Sequence, residues 1–475
     1  MVHKQTLGFF VGVATLVLVL AVFARRERVA DQPTDDRPNV VLIMLDTLRA
    51  DRVEANRGGV PVMPNLRAFA EGSRYFTRAI SPCTWTRPAV ASIFTGLNVD
   101  AHGVYFSAAP GEENSTRSDV LPASVETMAE VLDKAGFATI GIQTNPNLLP
   151  EYGFGRGFDD YVSDVDADAD TVTSLALKKV RGVTDPYFLY VHYMDVHNPY
   201  EPPEEYRALF GPPPALPKSD QYAVDHFMNY FWDHVNFMTG QNDERELPPM
   251  GPEGQEEIHT LYDAEARFMD AELGKLLDHL QSQDENTLFI ILSDHGEQLW
   301  EHGGLGHGLT MYEEELRVPL IVRGPGISPG RIDETVSTLE VLPTVADFLG
   351  LDRDPFWQAV EGLQSPKSGE PRFSQTRSSW ESLNIHMEAV VLNNLKLIVD
   401  KKTGEVELYD LAADPLERNN LAEKLTDRVE ELSALLDAHR AANEKLGSEV
   451  VHSAPFYLDE MTLQELRDLG YVGGE

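Results

Sequence analysis

Short runs of apolar residues, each followed by polar or charged residues, recur along the chain. Six apolar residues precede Asp46 in "NVVLIMLD", and "PYFLYVHYMDVH" (residues 186–197) and "TLFIILSDHGE" (residues 287–297) continue from apolar residues into acids and histidines. An unbroken apolar run of this length is typical of a strand buried on both faces of a parallel sheet. A further run, "VPLIVRGPG" (residues 318–326), predicts another strand that ends in a turn.

Between these runs lie segments with helical periodicity. In "SVETMAEVLDKAGF" (residues 124–137) and "LYDAEARFMDAELGKLLDHL" (residues 261–280), apolar residues recur at spacings of three and four. Strands that alternate with helices over about 300 residues predict a doubly wound, mostly parallel α/β sheet with helices on both faces.

The pattern also divides the chain. After the α/β domain, expected over residues 38–350, "HMEAVVLNNLKLIVDKKTGEVELYDLAADP" predicts antiparallel strands. We therefore expect a smaller C-terminal subdomain over residues 351–445 and a tail with a short helix over residues 446–475. Residues 211–256, rich in proline and acids, predict a surface insertion over the strand ends, either a lid or a plain long loop.

The N-terminus has a different character. "LGFFVGVATLVLVLAVF" (residues 7–23) carries no charge, and "ARRER" follows it. Its length and its arginine-rich exit favour an uncleaved membrane anchor within residues 1–24 over a cleaved signal peptide, followed by a linker over residues 25–37. By the positive-inside rule, the arginines would leave the main domain in the cytoplasm.

Composition narrows the classes of function. The 475 residues are 42% hydrophobic and carry a formal net charge of −38 with a single cysteine. Nucleic acid is excluded as a partner, because binding to phosphates needs a cationic face. One cysteine also excludes an intramolecular disulfide and a zinc site with paired thiolates.

Acids and histidines follow the predicted strands, at the sheet edge where α/β folds bind ligands. Asp46, Asp294 and His295 each follow a predicted buried strand. Carboxylate oxygens and imidazole nitrogens are ligands of divalent metals, so these three residues predict one metal site.

The single cysteine lies in "CTWTRPAVASIFTG", residues 83–96. On a helix, Cys83 and Arg87 would share one face, and Pro88 is tolerated only in a first turn, so the helix should begin near Cys83. Free amides at a helix N-terminus favour anions, which makes Cys83 a candidate nucleophile supported by Arg87. The alternative is a small buried hydrophobe without chemistry.

Taken together, these stretches resemble the sulfatase family of the alkaline phosphatase-like superfamily, over roughly residues 37–425. The stretches that match, in consistent order, are "RPNVVLIMLDTLRADRV", "CTWTRPAVASIFTG", "VHYMDVHNPYEPP", "SDHGE", "GHGLTMYEEELRVPLIVRGPG" and "ELYDLAADPLERNNLA".

The resemblance implies that Cys83 is oxidised to formylglycine, whose hydrated aldehyde attacks sulfur. It also implies that Arg87 holds the diol and that His197 contacts the sulfate or the leaving oxygen. His307, in "GHGLT", falls where the family often has a lysine and is expected to be the leaving-group acid or an anion contact.

For the metal, the resemblance implies a single divalent ion, calcium, with Cys83 as a further ligand beside Asp46, Asp294 and His295. Many sulfatases have an Asp-Asn pair where this chain has Asp294-His295. Because a histidine ligand is softer than carboxylate, manganese and zinc are also plausible.

Two departures from the family leave alternatives open. Trp85 stands where the family motif Cys-x-Pro-x-Arg has proline, so Cys83 could be converted or stay a thiol. Thr47, where many sulfatases have a second aspartate, and His295 also resemble the phosphonate and phosphodiester hydrolases of the superfamily.

Our main expectation is therefore metal-dependent hydrolysis of sulfate esters. The alternatives are a phosphodiester or phosphonate monoester hydrolase, and a non-catalytic anchored pseudo-sulfatase that binds acidic glycans. The expected partners are a sulfated small molecule or glycan, the formylglycine-generating enzyme, and a membrane through the N-terminal segment. The family resemblance implies a periplasmic or extracellular catalytic domain, which conflicts with the positive-inside rule.

Overall fold

The structure is a computed structural model of the chain. The residues that it describes are 36–105, 117–238, 249–357, 360, 362–377 and 385–457.

The strands of the described residues are short and mostly buried. In chain order they are β1 (Asn39–Leu45), β2 (Asn56–Arg57), β3 (Val60–Pro61), β4 (Arg74–Ile80), β5 (Arg117–Ser118), β6 (Ala138–Gln143), β7 (Asp160–Ser163), β8 (Tyr187–Tyr193), β9 (Thr287–Leu292), β10 (Gln298–Leu299), β11 (Leu305–Gly306), β12 (Arg317–Arg323), β13 (Gly330–Ile332), β14 (Val336–Ser337), β15 (Arg372–Arg377), β16 (His386–Leu392), β17 (Leu395–Asp400), β18 (Val406–Asp410) and β19 (Phe456–Tyr457).

The helices range from one turn to about nine turns. In chain order they are α1 (Pro64–Glu71), α2 (Thr86–Thr95), α3 (Val99–His102), α4 (Met128–Lys134), α5 (Ala169–Val180), α6 (Glu204–Ala208), α7 (Lys218–Asp225), α8 (Phe227–Met238), α9 (Pro252–Gln283), α10 (Glu313–Leu316), α11 (Val341–Leu349) and α12 (Thr426–Glu449).

The large sheet has the order β13-β4-β12-β9-β1-β8-β6-β7, with β14 also paired to β4. β1 lies at its centre, parallel to both β8 and β9. β12 is the exception, because it runs antiparallel to β9 and β4. The predicted doubly wound, mostly parallel sheet is confirmed.

Both faces of the sheet are covered by helices, as predicted. Along β1, Val41 and Ile43 pack with residues of α5 and α9, whereas Val40 and Leu42 pack on the opposite face with residues of α2, α4 and α11. This alternation follows from the period of two in a strand. A strand that is buried on both faces needs apolar residues at every position, which explains the unbroken apolar runs.

Helix boundaries differ from the sequence prediction at two places. α4 begins at Met128, because the side chain of Thr127 accepts a hydrogen bond from the Glu130 amide and caps the helix. α9 begins at Pro252, well before the predicted periodic stretch, and Pro is favourable in the first turn.

The predicted insertion at residues 211–256 is not a plain loop in its described part. It contains α7, α8 and the start of α9. On α8, Phe227, Phe231 and Val235 are buried in the same apolar cluster as Tyr200. Their helical spacing lies between proline-rich and acidic stretches, so the sequence analysis, which left a lid and a plain long loop open, did not predict a helix here.

The small C-terminal subdomain is confirmed as an antiparallel sheet, in the order β15-β16-β17-β18. α12 packs on this sheet through Leu432 and Leu436. The helix continues to Glu449, past the predicted boundary at residue 445, and β19 then pairs with β5 of the large domain.

The N-terminal predictions lie outside this architecture. Among the described residues, no helix combines the length and the apolar character that a membrane span requires. The predicted anchor within residues 1–24 and nearly all of the linker lie outside the described residues, as does the helix predicted near the C-terminus.

Candidate active site

The three predicted metal ligands at the strand ends lie together. Asp46 follows β1, and Asp294 and His295 follow the adjacent strand β9. One ligand atom from each residue lies within 4.8 Å of the others, and all three side chains are completely buried.

Two carboxylate oxygens and one ring nitrogen of this cluster face one another, and the nitrogen also lies 3.2 Å from the Thr86 hydroxyl. His295 Nδ1 lies 2.9 Å from the Gly296 carbonyl oxygen, so Nδ1 carries the proton and Nε2 a lone pair. Nε2 lies 3.3 Å from Asp294 Oδ2 and 3.8 Å from Asp46 Oδ1. These two oxygens accept no hydrogen bond within the described chain.

Burial of unpaired carboxylate oxygens is unfavourable unless a cation compensates their charge. Burial, and then the nearby Asp46 charge, raise the pKa of Asp294 to about 6. The donor set of two carboxylates and one imidazole therefore fits a divalent metal ion.

A second set of residues forms hydrogen bonds with the other carboxylate oxygen of Asp46. Asp46 Oδ2 accepts hydrogen bonds from Asn145 Nδ2 at 2.7 Å and from His192 Nε2 at 2.9 Å. The other ring nitrogen of His192 lies 2.8 Å from the Tyr190 hydroxyl. Burial acts to raise the pKa of Asp46, but the hydrogen bond and charge of His192 outweigh it and hold that pKa below its usual value.

Cys83 lies between β4 and α2, near the metal-ligand loop. Ser81 Oγ lies 2.7 Å from the Cys83 carbonyl oxygen and also hydrogen-bonds the Asp294 carbonyl oxygen. α2 begins at Thr86, close to the start that Pro88 predicted. The loop of the candidate nucleophile is therefore tied to a metal ligand.

The sulfur of Cys83 is not one of the atoms in the 4.8 Å cluster, so its role as a metal ligand stays a prediction. The residue is 1% exposed, and burial raises the pKa of its thiol to about 12. The unmodified thiol is consequently protonated at neutral pH and a poor nucleophile.

Arg87 lies in the first turn of α2 and is completely buried. Its guanidinium contacts the Asn147 carbonyl oxygen and Oδ1 at 3.2 and 3.3 Å, and lies 3.9 Å above the Tyr152 ring. The Asn147 amide donates to Asn145 Oδ1 at 2.8 Å. Since Asn145 also donates to Asp46, the asparagines connect Arg87 to the metal ligands.

The two predicted catalytic histidines are neighbours. The ring centroid of His307 lies 4.9 Å from that of His197 and 4.5 Å from that of His295. Burial, and then the charge of His307, lower the pKa of His197 to about 4. Burial, followed by the charge of His295, lowers the pKa of His307 to about 3, so both rings are neutral at pH 7.

Two glutamates to which the sequence analysis gave no role at His307 hold the segment of that residue. The Glu297 carboxylate lies 3.2 Å from His307 Nδ1. Glu315 Oε2 accepts the Gly308 amide at 2.8 Å, and its other oxygen accepts the Thr310 hydroxyl. Glu297 follows the metal ligands in "SDHGE" by two residues, so its position in that motif could have indicated it.

Comparison with known proteins agrees with this architecture. The Sulfatase family model matches residues 38–351. Choline-sulfatase of Rhizobium meliloti is 25% identical over 460 residues, which cover 86% of this chain and 87% of that protein.

Solved structures show the same fold. A protein in complex with its substrate, D-glucosamine-2-N,6-O-disulfate, has a TM-score of 0.69 at 19% identity, covering 86% of this chain and 98% of that chain. Phosphonate monoester hydrolase of Agrobacterium radiobacter has a TM-score of 0.65 at 20% identity, covering 86% of this chain and 96% of that chain. These similarities confirm the alkaline phosphatase-like fold.

Proposed function

Because the chain belongs to the sulfatase family and is a sulfuric ester hydrolase, we propose that it cleaves sulfate monoesters with a formylglycine derived from Cys83. We propose that one divalent ion lies between Asp46, Asp294 and His295. The observation that carries this proposal is the pair of buried, unpaired carboxylate oxygens that face His295 Nε2, close to the Cys83 loop.

Both groups would supply chemistry that the unmodified chain lacks. A bound divalent ion supplies positive charge for the anion and lowers the pKa of an oxygen nucleophile, and formylglycine supplies that oxygen. The high pKa of the Cys83 thiol supports conversion, since an unmodified thiol would be a weak nucleophile at neutral pH.

The residues of the chain provide charge and a proton. Arg87, buried beside Asn147, contributes a fixed positive charge near the Cys83 loop. Glu297 orients His307 through Nδ1, so the opposite ring nitrogen is available to the substrate. The Glu297 carboxyl, whose pKa burial raises to about 7, can donate its proton to His307 Nδ1 while the Nε2 proton of the neutral ring passes to the leaving oxygen as the ester bond breaks.

The test compares initial rates on 4-nitrophenyl sulfate and bis(4-nitrophenyl) phosphate with the same enzyme preparation. We expect faster turnover of the sulfate ester and complete loss of that turnover in Cys83→Ala. The variant should keep the melting temperature of the wild type within a few degrees, because only one buried sulfur is removed. Full activity of Cys83→Ala would refute the nucleophile.

The second candidate function is hydrolysis of phosphonate monoesters or phosphodiesters. The support for it is the fold shared with phosphonate monoester hydrolase of Agrobacterium radiobacter, together with the resemblance of Thr47 and His295 to those hydrolases noted in the sequence. Like sulfate monoesters, these substrates carry a single negative charge. The charge of the site therefore does not distinguish the two classes of substrate. A faster rate on the phosphate diester would select this candidate.

Conversion of Cys83 can be read directly from the mass of its peptide. A loss of about 18 Da relative to the thiol indicates the aldehyde form of formylglycine. We expect that loss. An unaltered thiol together with no turnover would instead support the non-catalytic protein that binds acidic glycans.

We also propose that residues 1–24 anchor the enzyme in a membrane and that the catalytic domain faces the periplasm or the exterior. The support is the uncharged stretch of residues 7–23. Protease added to spheroplasts, from which any outer membrane has been removed, should degrade the catalytic domain. Protection of that domain until the membrane is permeabilised would place it in the cytoplasm.

A further inference from the structure

Trp85 is the residue at which this chain departs from the family motif around its cysteine. It occupies the N-cap position of α2 without a capping hydrogen bond from its side chain, and the residue is 5% exposed. The ring packs in an apolar cluster with Cys83, Ala89 and Val99. Its Nε1–H has no hydrogen-bond acceptor among the described residues.

An unpaired buried donor of this kind is unfavourable. A buried indole N–H normally finds a partner, and leaving it without one forfeits the hydrogen bond that it made with water. Phenylalanine would provide a similar apolar surface at this position without that loss. The donor is therefore explained by an acceptor that is not part of the described chain.

The surroundings of Trp85 place it within the candidate active site. The backbone amides of Thr84 and Trp85 hydrogen-bond the Cys83 sulfur. On its other side, a Cβ added to Gly308 would lie 3.4 Å from Trp85 Cβ, and Gly308 directly follows His307. Trp85 thus lies between the segments of the nucleophile and of the leaving-group acid.

Further groups nearby are suited to an anion. The hydroxyl of Thr84, completely buried, also lacks a hydrogen-bond partner within the described chain. α2 has ten residues, and the amides of its first turn have no acceptor inside the helix. Free amides at a helix N-terminus favour a negatively charged oxygen.

We propose that the indole N–H of Trp85 donates a hydrogen bond to an oxygen of the bound sulfuryl group. This inference rests on the proposed function, because it assumes that the site binds a sulfate ester. It assigns a binding role to the position where proline, in the family motif, offers no side-chain donor.

The first experiment follows the indole directly. The protein has five tryptophans, so ¹⁵N labelling of the indoles gives a small set of resonances, and Trp85→Phe assigns one of them. We expect the Trp85 resonance of the wild type to shift when inorganic sulfate is added. A resonance that stays unchanged at saturating sulfate would overturn the proposal.

The second experiment compares Trp85→Phe with the matched control Trp357→Phe, whose indole packs at the far end of α2 against Gly96. We expect sulfate to inhibit Trp85→Phe about 10- to 150-fold less tightly, as for loss of a hydrogen bond to a charged group. The control should keep its affinity for sulfate. Without ligand, Trp85→Phe should melt at the same temperature as the wild type or higher.

The outcomes separate this inference from the proposed function. A lower melting temperature of Trp85→Phe with unchanged sulfate affinity would show that the N–H has a structural partner, and would overturn the inference alone. Wild-type enzyme that binds sulfate through Trp85 but fails to cleave 4-nitrophenyl sulfate would overturn the proposed function alone. No sulfate binding and no turnover would overturn both.

Discussion

At the scale of single residues, hydrogen bonds orient the side chains of the candidate site and leave one electron pair of each candidate ligand available to a metal. His295 is oriented by the Gly296 carbonyl oxygen, and Asp46 by Asn145 and His192. Groups that orient a metal ligand in this way usually contribute substantially to metal affinity. We therefore expect that replacing a residue that hydrogen-bonds a candidate ligand lowers the metal affinity almost as much as replacing the ligand itself.

The first prediction concerns His192. Replacing His192 by Ala should weaken the affinity for Mn²⁺ about 10- to 100-fold, because Asp46 loses an oriented donor. His192→Gln can restore a donor to Asp46 and should recover part of that loss. The affinity is measured by calorimetric titration of the metal-free protein.

The exposed His226 provides the control, since His226→Ala should leave the metal affinity unchanged. Affinity of His192→Ala within a factor of two of the wild type would contradict the role of His192. So would a loss of the same size in the control variant.

The sequence identified the three candidate metal ligands but not the residues that hydrogen-bond Asp46. Asp46, Asp294 and His295 follow long apolar runs, so strand pattern and topology together place them at one edge of the sheet. Asn145 and His192 contact Asp46 only because β8 lies next to β1 in the folded sheet and β6 lies next to β8. Side-chain contacts of that kind depend on register, which a single sequence does not supply.

At the scale of secondary-structure elements, α8 supports the segment that leads to His307. Phe231 lies so close to Gly306 that a Cβ there would be 2.5 Å from the phenyl ring. Gly306 has a φ of +100°, a conformation that other residues rarely adopt. The Phe231 ring can therefore pack this close to β11 only because residue 306 has no side chain.

The second prediction follows from this contact. Phe231→Ala should lower the free energy of unfolding by about 3–5 kcal/mol, because it leaves a cavity in the core. It should also lower kcat more than it raises KM, because His307 directly follows Gly306. Urea unfolding and steady-state kinetics measure the two effects.

Phe227→Leu provides the comparison on the same helix, since it alters the same apolar cluster without touching Gly306. We expect it to destabilise the protein and leave kcat near the wild-type value. An equal loss of kcat in both variants would mean that α8 affects catalysis only through the stability of the whole fold.

The sequence analysis correctly predicted the elements whose apolar residues form one clear pattern. It missed α8, whose flanking residues point to a loop. β1, β8 and β9 are buried on both faces and were predicted from their apolar runs. α8 was missed because proline-rich and acidic stretches flank it. The antiparallel direction of β12 was also missed, since an apolar run is the same in either direction.

At the scale of the whole molecule, the C-terminal subdomain is joined to the catalytic domain by buried charges. Lys396, on β17, is completely buried and lies 3.1 Å from Glu313 and 2.9 Å from Glu417. Glu313 begins α10, which follows the His307 segment. The subdomain is thus part of the support of the active site.

The third prediction tests this junction. Lys396→Met should lower the free energy of unfolding by about 3–5 kcal/mol, because two acids are left buried without a cation. Adding Glu417→Gln to the same chain should restore part of the stability. Equilibrium urea unfolding measures both variants, and a fully stable single variant would contradict this account.

Another contact of the subdomain bears on the timing of maturation. The Gln375 amide and the Ser374 hydroxyl on β15 bond the carbonyl oxygens of Pro82 and Ser81, directly before Cys83. Cys83 itself is 1% exposed, so its sulfur is covered in the finished fold. Under the proposed function, oxidation must precede docking of β15, which the ribosome makes about 290 residues after Cys83, roughly 15–60 s later. The speed of protein synthesis then sets how much of each batch is active, and slower translation should raise the active fraction.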